Sequence, residues 1–96
     1  MHRNEALAIL GRHRDELTAH DVKALSLFGS VARDQAERSG DVDLLVEFSR
    51  PVGMFAFLRL KSFLEQILGQ KVDLVTLDAV RPEMRKQVQE EAVRAA

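Results

Sequence analysis

Three short strand-like runs, spaced apart by segments of helical period, constrain this chain more than any other feature. Val22-Lys23-Ala24-Leu25-Ser26-Leu27-Phe28 alternates in its first half and ends at Gly29-Ser30. Asp41-Val42-Asp43-Leu44-Leu45-Val46-Glu47-Phe48 and Lys71-Val72-Asp73-Leu74-Val75-Thr76-Leu77 are rich in β-branched and large apolar residues. Residues 3–18 carry Ala6, Ile9, Leu10 and Leu17 at helical spacing, which predicts an amphipathic helix. Ser30 suits the N-cap of a short helix over 30–36, and 37–40 reads as a polar turn. Pro51 and Gly53 break the second strand. Over 54–68, Phe57, Leu60, Leu64, Ile67 and Leu68 lie on one stripe, with Gly69 placed as a C-cap. Asp78 and Pro82 open a last helix through about residue 94. The order α-β-α-β-α-β-α predicts an α/β fold, a short mixed or mostly parallel sheet with helices packed on it.

The whole chain, 96 residues, fits one domain spanning 1–96. No stretch approaches the apolar length of a membrane span, and Met1-His2-Arg3-Asn4-Glu5 does not lead into a secretory signal. The absence of cysteine excludes a disulfide framework and a thiolate zinc site. An intracellular, cytoplasmic, soluble domain without a membrane partner is expected. With 14 Lys+Arg against 15 Asp+Glu, the basic excess that grips a long nucleic acid is missing. The five aromatic residues are all Phe, so there is no Trp or Tyr for a base-stacking platform either. Direct binding of a long nucleic acid is not expected, although a small nucleotide needs no such surface.

The chemistry concentrates at three places. Gly29-Ser30 stands at a strand-to-helix junction, where glycine permits close approach of a phosphate and the free N–H groups opening a helix attract anions. Alone, the pair also reads as a plain turn with a serine cap. Asp41 and Asp43 are two apart on a strand, so they project together while Val42, Leu44 and Val46 face a core. Their repulsion is relieved by a proton or a cation, and paired carboxylates suit Mg²⁺. Alone, they also read as two solvated residues at a strand edge. Asp73 interrupts an otherwise apolar strand, which asks for a partner. If its strand neighbours that of Asp41 and Asp43, three carboxylates converge.

Together these features give G-S-x10-D-x-D followed by a lone Asp on a later strand. In Leu27-Phe28-Gly29-Ser30-Val31-Ala32-Arg33 and Gly40-Asp41-Val42-Asp43-Leu44-Leu45-Val46, the chain resembles the DNA polymerase β-type nucleotidyltransferase superfamily. Within it, the chain is most similar to the minimal nucleotidyltransferase (MNT) domain. Gly69-Gln70-Lys71-Val72-Asp73-Leu74-Val75-Thr76 and Arg81-Pro82-Glu83-Met84-Arg85 extend the likeness into the C-terminal half. Two positions depart from the family pattern. Asp34 stands where Gly is usual, and Gly40 where Ser is common, with Ser39 one place earlier.

The resemblance implies a polymerase β-type nucleotidyltransferase fold and transfer of a nucleotide from a nucleoside triphosphate. It implies Asp41, Asp43 and Asp73 as catalytic residues and ligands of two Mg²⁺ ions, with ATP as substrate. It assigns Gly29 and Ser30 to the β- and γ-phosphates. Arg33 reads equally as a triphosphate contact or a solvated side chain. Once the core is built no residues remain for an acceptor-binding domain, which points to an acceptor brought by another protein. Stand-alone MNT domains are similar to antitoxins paired with HEPN-domain ribonuclease toxins, and the resemblance implies AMP transfer to a toxin tyrosine. Two alternatives are a non-catalytic MNT-fold module acting by contact and a small-molecule nucleotidyltransferase. Phe55 and Leu58 lie off the main stripe of the 54–68 helix, with Phe63 at its margin. They read either as an interface patch or as packing under the 49–53 loop and core. His2, His13 and His20 lack metal-ligand spacing and read as surface residues, and 81–94 reads as a solvated helix face.

Overall fold

In the computed structural model, residues 1–32, apart from the Ser30 side chain, and 41–96 are described. The N-terminal segment forms two helices, α1 (Arg3–Arg12) and α2 (Arg14–Ala19), instead of one. The break falls at His13 (φ −110°, ψ 23°). Its backbone N–H turns to the Leu10 carbonyl and its imidazole Nδ1 reaches the Ile9 carbonyl at 2.9 Å. The ring thus occupies a carbonyl that a continuous helix would have used.

Strand β1 (Val22–Phe28) leads into a one-turn helix, α3 (Gly29–Ala32). That helix begins one residue earlier than expected, so Ser30 stands in its first turn and not at its cap. The 33–36 part of the expected helix lies outside the described residues, as does the 37–40 turn. Strand β2 (Val42–Phe48), helix α4 (Met54–Leu68) and strand β3 (Val72–Thr76) follow the predicted periods. Gly69 closes α4 in the left-handed region (φ 66°), its N–H donating to Glu65 O at 2.9 Å. Leu77–Ala79 form a 3₁₀ turn before α5 (Pro82–Glu91). The last helix does not reach residue 94. Ala92 turns extended (ψ 136°), and Val93–Arg94 become strand β4 beside β1.

Among the described residues the strands form one mixed sheet in the order β3-β2-β1-β4. The β1/β2 and β1/β4 pairs are antiparallel, and β2/β3 is parallel. This mixed architecture carries helices against the sheet, as the strand-helix alternation predicts.

Alternation decides which side chains enter the core. Leu25, Leu27, Val42, Leu44, Val46, Val72 and Leu74 are buried on one face. Ala6 and Leu10 of α1, Leu17 of α2 and Leu60, Leu64 and Leu68 of α4 join them in one hydrophobic cluster. The opposite face carries Ser26, Phe28, Asp43, Leu45, Asp73 and Val75, none of them fully buried. That second face is where polar chemistry is left facing outward. No helix of the described residues is long and apolar enough to cross a membrane.

Candidate functional site

Register assembles the site. Asp43 lies opposite Asp73 across the parallel β2/β3 pair and opposite Phe28 across the antiparallel β1/β2 pair. Directly paired residues project to one face, so Phe28, Asp43 and Asp73 form a row across three strands. The row stands at the N-terminal ends of β2 and β3 and at the C-terminal end of β1. Two like charges placed in register repel, so the row favours a cation.

Gly29, the residue after Phe28, turns the chain into α3 with φ +70°, a backbone conformation costly for any residue with a Cβ. It also sits against Asp43: a methyl group there would overlap Oδ2 and lie 3.0 Å from Cγ. Two separate demands therefore select glycine at one position, the φ of the turn and the closeness of the carboxylate.

Asp41 immediately precedes β2 and is exposed, and Asp73 is exposed on β3, the edge strand. Asp43 is half-buried between them and has a further polar or ionic interaction of its own. The Val42 N–H donates to Lys71 O at 2.9 Å, which locks the first residues of β2 and β3 together beneath the acids. As the side chains stand, no three His, Asp or Glu groups among the described residues are close enough together to hold a metal ion. The backbone brings Asp43 and Asp73 together directly, and Asp41 adjoins them through its place in the chain. Arg33 lies outside the described residues, as do Asp34, Ser39 and Gly40. The Ser30 side chain is likewise outside them.

The donor set fits a hard divalent cation: carboxylate oxygens only, with no sulfur and no imidazole in the row. The bare Cα of Gly29 lets the Asp43 carboxylate lie where a side chain would otherwise stand.

Two residues beyond Asp43 on the same face, roughly 7 Å along the strand, Leu45 begins an open groove of about 1090 Å³. Its walls are the 46–54 segment, Phe57, Thr76, Leu77, Asp78 and Gln89 of α5. Sequence reasoning did not find this groove, because it is built from the ends of four elements distant in the chain. Nor did it single out Glu65, whose carboxylate accepts the Val72 N–H at 3.0 Å.

The residues outside the row divide clearly. Phe55 is 79% exposed and Leu58 45% exposed, beside Met54 at 70%. Phe63, by contrast, packs edge-on to His13 and stacked on His20, with centroids at 5.9 and 5.2 Å. Both histidines are thereby half-buried, unlike the solvated residues expected, whereas His2 is exposed.

Known proteins resemble this chain in sequence and fold. The profile of the nucleotidyltransferase domain matches residues 10–95. A candidate protein adenylyltransferase of Methanocaldococcus jannaschii is 39% identical over 77 residues, 80% of this chain and 83% of that protein. The protein adenylyltransferase MntA of Thermococcus cleftensis is 36% identical over 90 residues, 93% of this chain and 91% of its own. A solved candidate minimal nucleotidyltransferase superposes with a TM-score of 0.84 at 34% identity, covering 97% of this chain and 95% of that one. A tri-AMPylated Shewanella oneidensis HEPN toxin in complex with MNT antitoxin provides a chain with the same fold. There the TM-score is 0.66 at 20% identity, over 94% of this chain and 71% of that one. With a domain match over nearly its full length and relatives of this identity, the chain belongs to the nucleotidyltransferase domain family.

Proposed function

We propose that this chain acts as one minimal domain and transfers AMP from ATP to a tyrosine hydroxyl of a partner HEPN ribonuclease toxin, serving as its antitoxin. The observation that carries the reading is Asp43 facing Asp73 in register with Gly29 pressed against the Asp43 carboxylate. Support for the acceptor comes from the adenylyltransferase relatives and from the HEPN–MNT complex of the same fold. An ATP-consuming reaction on a ribonuclease is consistent with a cytoplasmic setting.

Asp41, Asp43 and Asp73 would hold Mg²⁺, which when bound neutralises the triphosphate and the charge that develops in transfer. Gly29 and Ser30 would admit the β- and γ-phosphates to the backbone at the opening of α3, and Arg33 would contact the triphosphate. The acceptor oxygen attacks the α-phosphorus, its proton passes to the Asp73 carboxylate, and pyrophosphate departs. Asp73 suits that role because it lies on the edge strand, exposed to an incoming acceptor. The product carries an added phosphodiester charge and the bulk of AMP, which would hinder RNA at the toxin's active site.

A reaction with α-labelled ATP, Mg²⁺ and the toxin of the neighbouring reading frame tests this. Asp43→Asn or Asp73→Asn, each folded by circular dichroism, should lower labelled transfer by at least about 100-fold, the scale of a lost charge-stabilising group. Undiminished transfer by both variants refutes the assignment.

A second reading, neutralisation by contact alone, is favoured by the exposed Met54, Phe55 and Leu58 on α4. It requires that the toxin be silenced without ATP, and that Mg²⁺-dependent ATP binding be absent even in the complex.

A further inference from the structure

Glu65 is an acid in the last turn of α4, where the helix dipole disfavours negative charge and no basic residue accompanies it. Its position is explained by what its two ends hold. The backbone carbonyl accepts the Gly69 N–H that closes the helix, and the carboxylate Oε2 accepts the Val72 N–H that opens β3 at 3.0 Å.

That amide has a particular place in the sheet. In a parallel ladder, alternate residues bond to the neighbouring strand. Lys71 is turned toward β2, since its carbonyl accepts the Val42 N–H, and so the Val72 amide points to the outer side. Among the described residues strand β3 is the edge of the sheet, and none of them forms a further strand to receive it. Glu65 supplies the missing acceptor one residue before Asp73. The fold thus ties the first residue of β3 from both sides: to β2 through Lys71, and to α4 through Glu65.

We propose that Glu65 is a positioning residue for Asp73: by fixing the start of β3 it keeps the Asp73 carboxylate aligned with Asp43 for a shared divalent cation. This rests on the reading of Asp43 and Asp73 as the cation-holding pair. Glu65 itself does not enter the site. It acts through the backbone of Val72, so its acceptor oxygen and its reach matter, and its charge does not.

The test is titration of Mn²⁺ into the full chain with the non-transferable α,β-methylene analogue of ATP, followed by electron paramagnetic resonance. Glu65→Ala is expected to weaken Mn²⁺ binding by about 10-fold, the size of effect typical of groups that orient a metal ligand. Because the alanine variant risks poor folding, two milder ones carry the test equally. Glu65→Gln keeps an acceptor at the same reach without charge and should bind Mn²⁺ as the parent does. Glu65→Asp keeps the charge but falls one methylene short, and should lose affinity like alanine. Amide exchange at Val72 should quicken in the Asp variant and not in the Gln variant. A normal Asp variant with a weakened Gln variant would make the charge the active feature and overturn the proposal. Unchanged affinity in the Ala and Asp variants, while Asp73→Asn loses Mn²⁺, would overturn it as well. Unchanged affinity in Asp73→Asn would instead bring down the underlying reading, and this inference with it.

Discussion

At the scale of single residues, Gly29 is the position with least freedom. Its φ of +70° and the Asp43 carboxylate beside its Cα are independent obstacles to a side chain. Gly29→Ala should therefore cost about 1–3 kcal/mol of stability, read as a lower urea midpoint, and should displace Asp43. Loss of transfer should exceed what the stability change explains, so the folded fraction at the assay temperature must be measured alongside. The spacing between Gly29 and the two acids is visible in the sequence, but its meaning is not. A glycine and an aspartate fourteen places apart touch only because Phe28 pairs with Asp43 across β1 and β2. The alternation of Val42, Leu44 and Val46 against Asp41 and Asp43 was legible, since burying one face of a strand forces it. The pairing of Asp43 with Asp73 was legible only as a condition on strand order. Glu65 carried a faint signal, an acid at the unfavourable end of a helix, which becomes intelligible once the Val72 amide is located.

At the scale of elements, the strongest periods were read correctly and the weakest were not. Helix α4 begins and ends where its stripe and Gly69 indicate, because fifteen residues of consistent spacing outweigh any local competitor. The division at His13 escaped notice because Ala6, Leu10 and Leu17 keep an apolar stripe through it, while the interruption comes from one imidazole on one carbonyl. Strand β4 escaped because two residues cannot display a period of two. Its existence depends on β1 offering an open edge to Val93 and Arg94. Between these extremes lies the connection from β3 to α5, which a single side chain organises. Arg85 Nε donates to Val80 O at 3.1 Å and Leu77 O at 3.2 Å, and its Nη2 donates to Asp78 O at 3.3 Å. Arg85→Met keeps the apolar stem and removes these donors. It should destabilise by about 1 kcal/mol and quicken amide exchange at Val80, whose N–H closes the 3₁₀ turn on Leu77. Since Leu77, Asp78 and Gln89 line the groove, its wall should loosen too.

For the molecule as a whole, the two faces of the sheet have separate duties. One is committed to a single apolar cluster drawn from strands and from α1, α2, α3 and α4. The other presents the acids, while the groove at the far ends of β2 and β3 draws on residues of both faces, and the exposed Met54, Phe55 and Leu58 stand on the helix that rims it. Their exposure, greatest at Phe55 and least at Leu58, means that stability depends little on them. Phe55→Ser combined with Leu58→Ser should leave the unfolding free energy within about 0.5 kcal/mol of the parent. The same pair should weaken co-purification with the toxin if this surface meets the partner. Retained binding would remove the patch from the interface while leaving the transfer chemistry in place.

The parallel pairing of β2 with β3 has one more implication, for which mutations this lineage can accept. Side chains on a strand swap sides with every step, so one residue inserted between Val72 and Asp73 would turn the third acid toward the oily interior and Leu74 toward water. An insertion at Gln70 or Lys71, outside the strand, only lengthens the connection and leaves that phase intact. At the start of β3, therefore, selection has strong reason to conserve the number of residues.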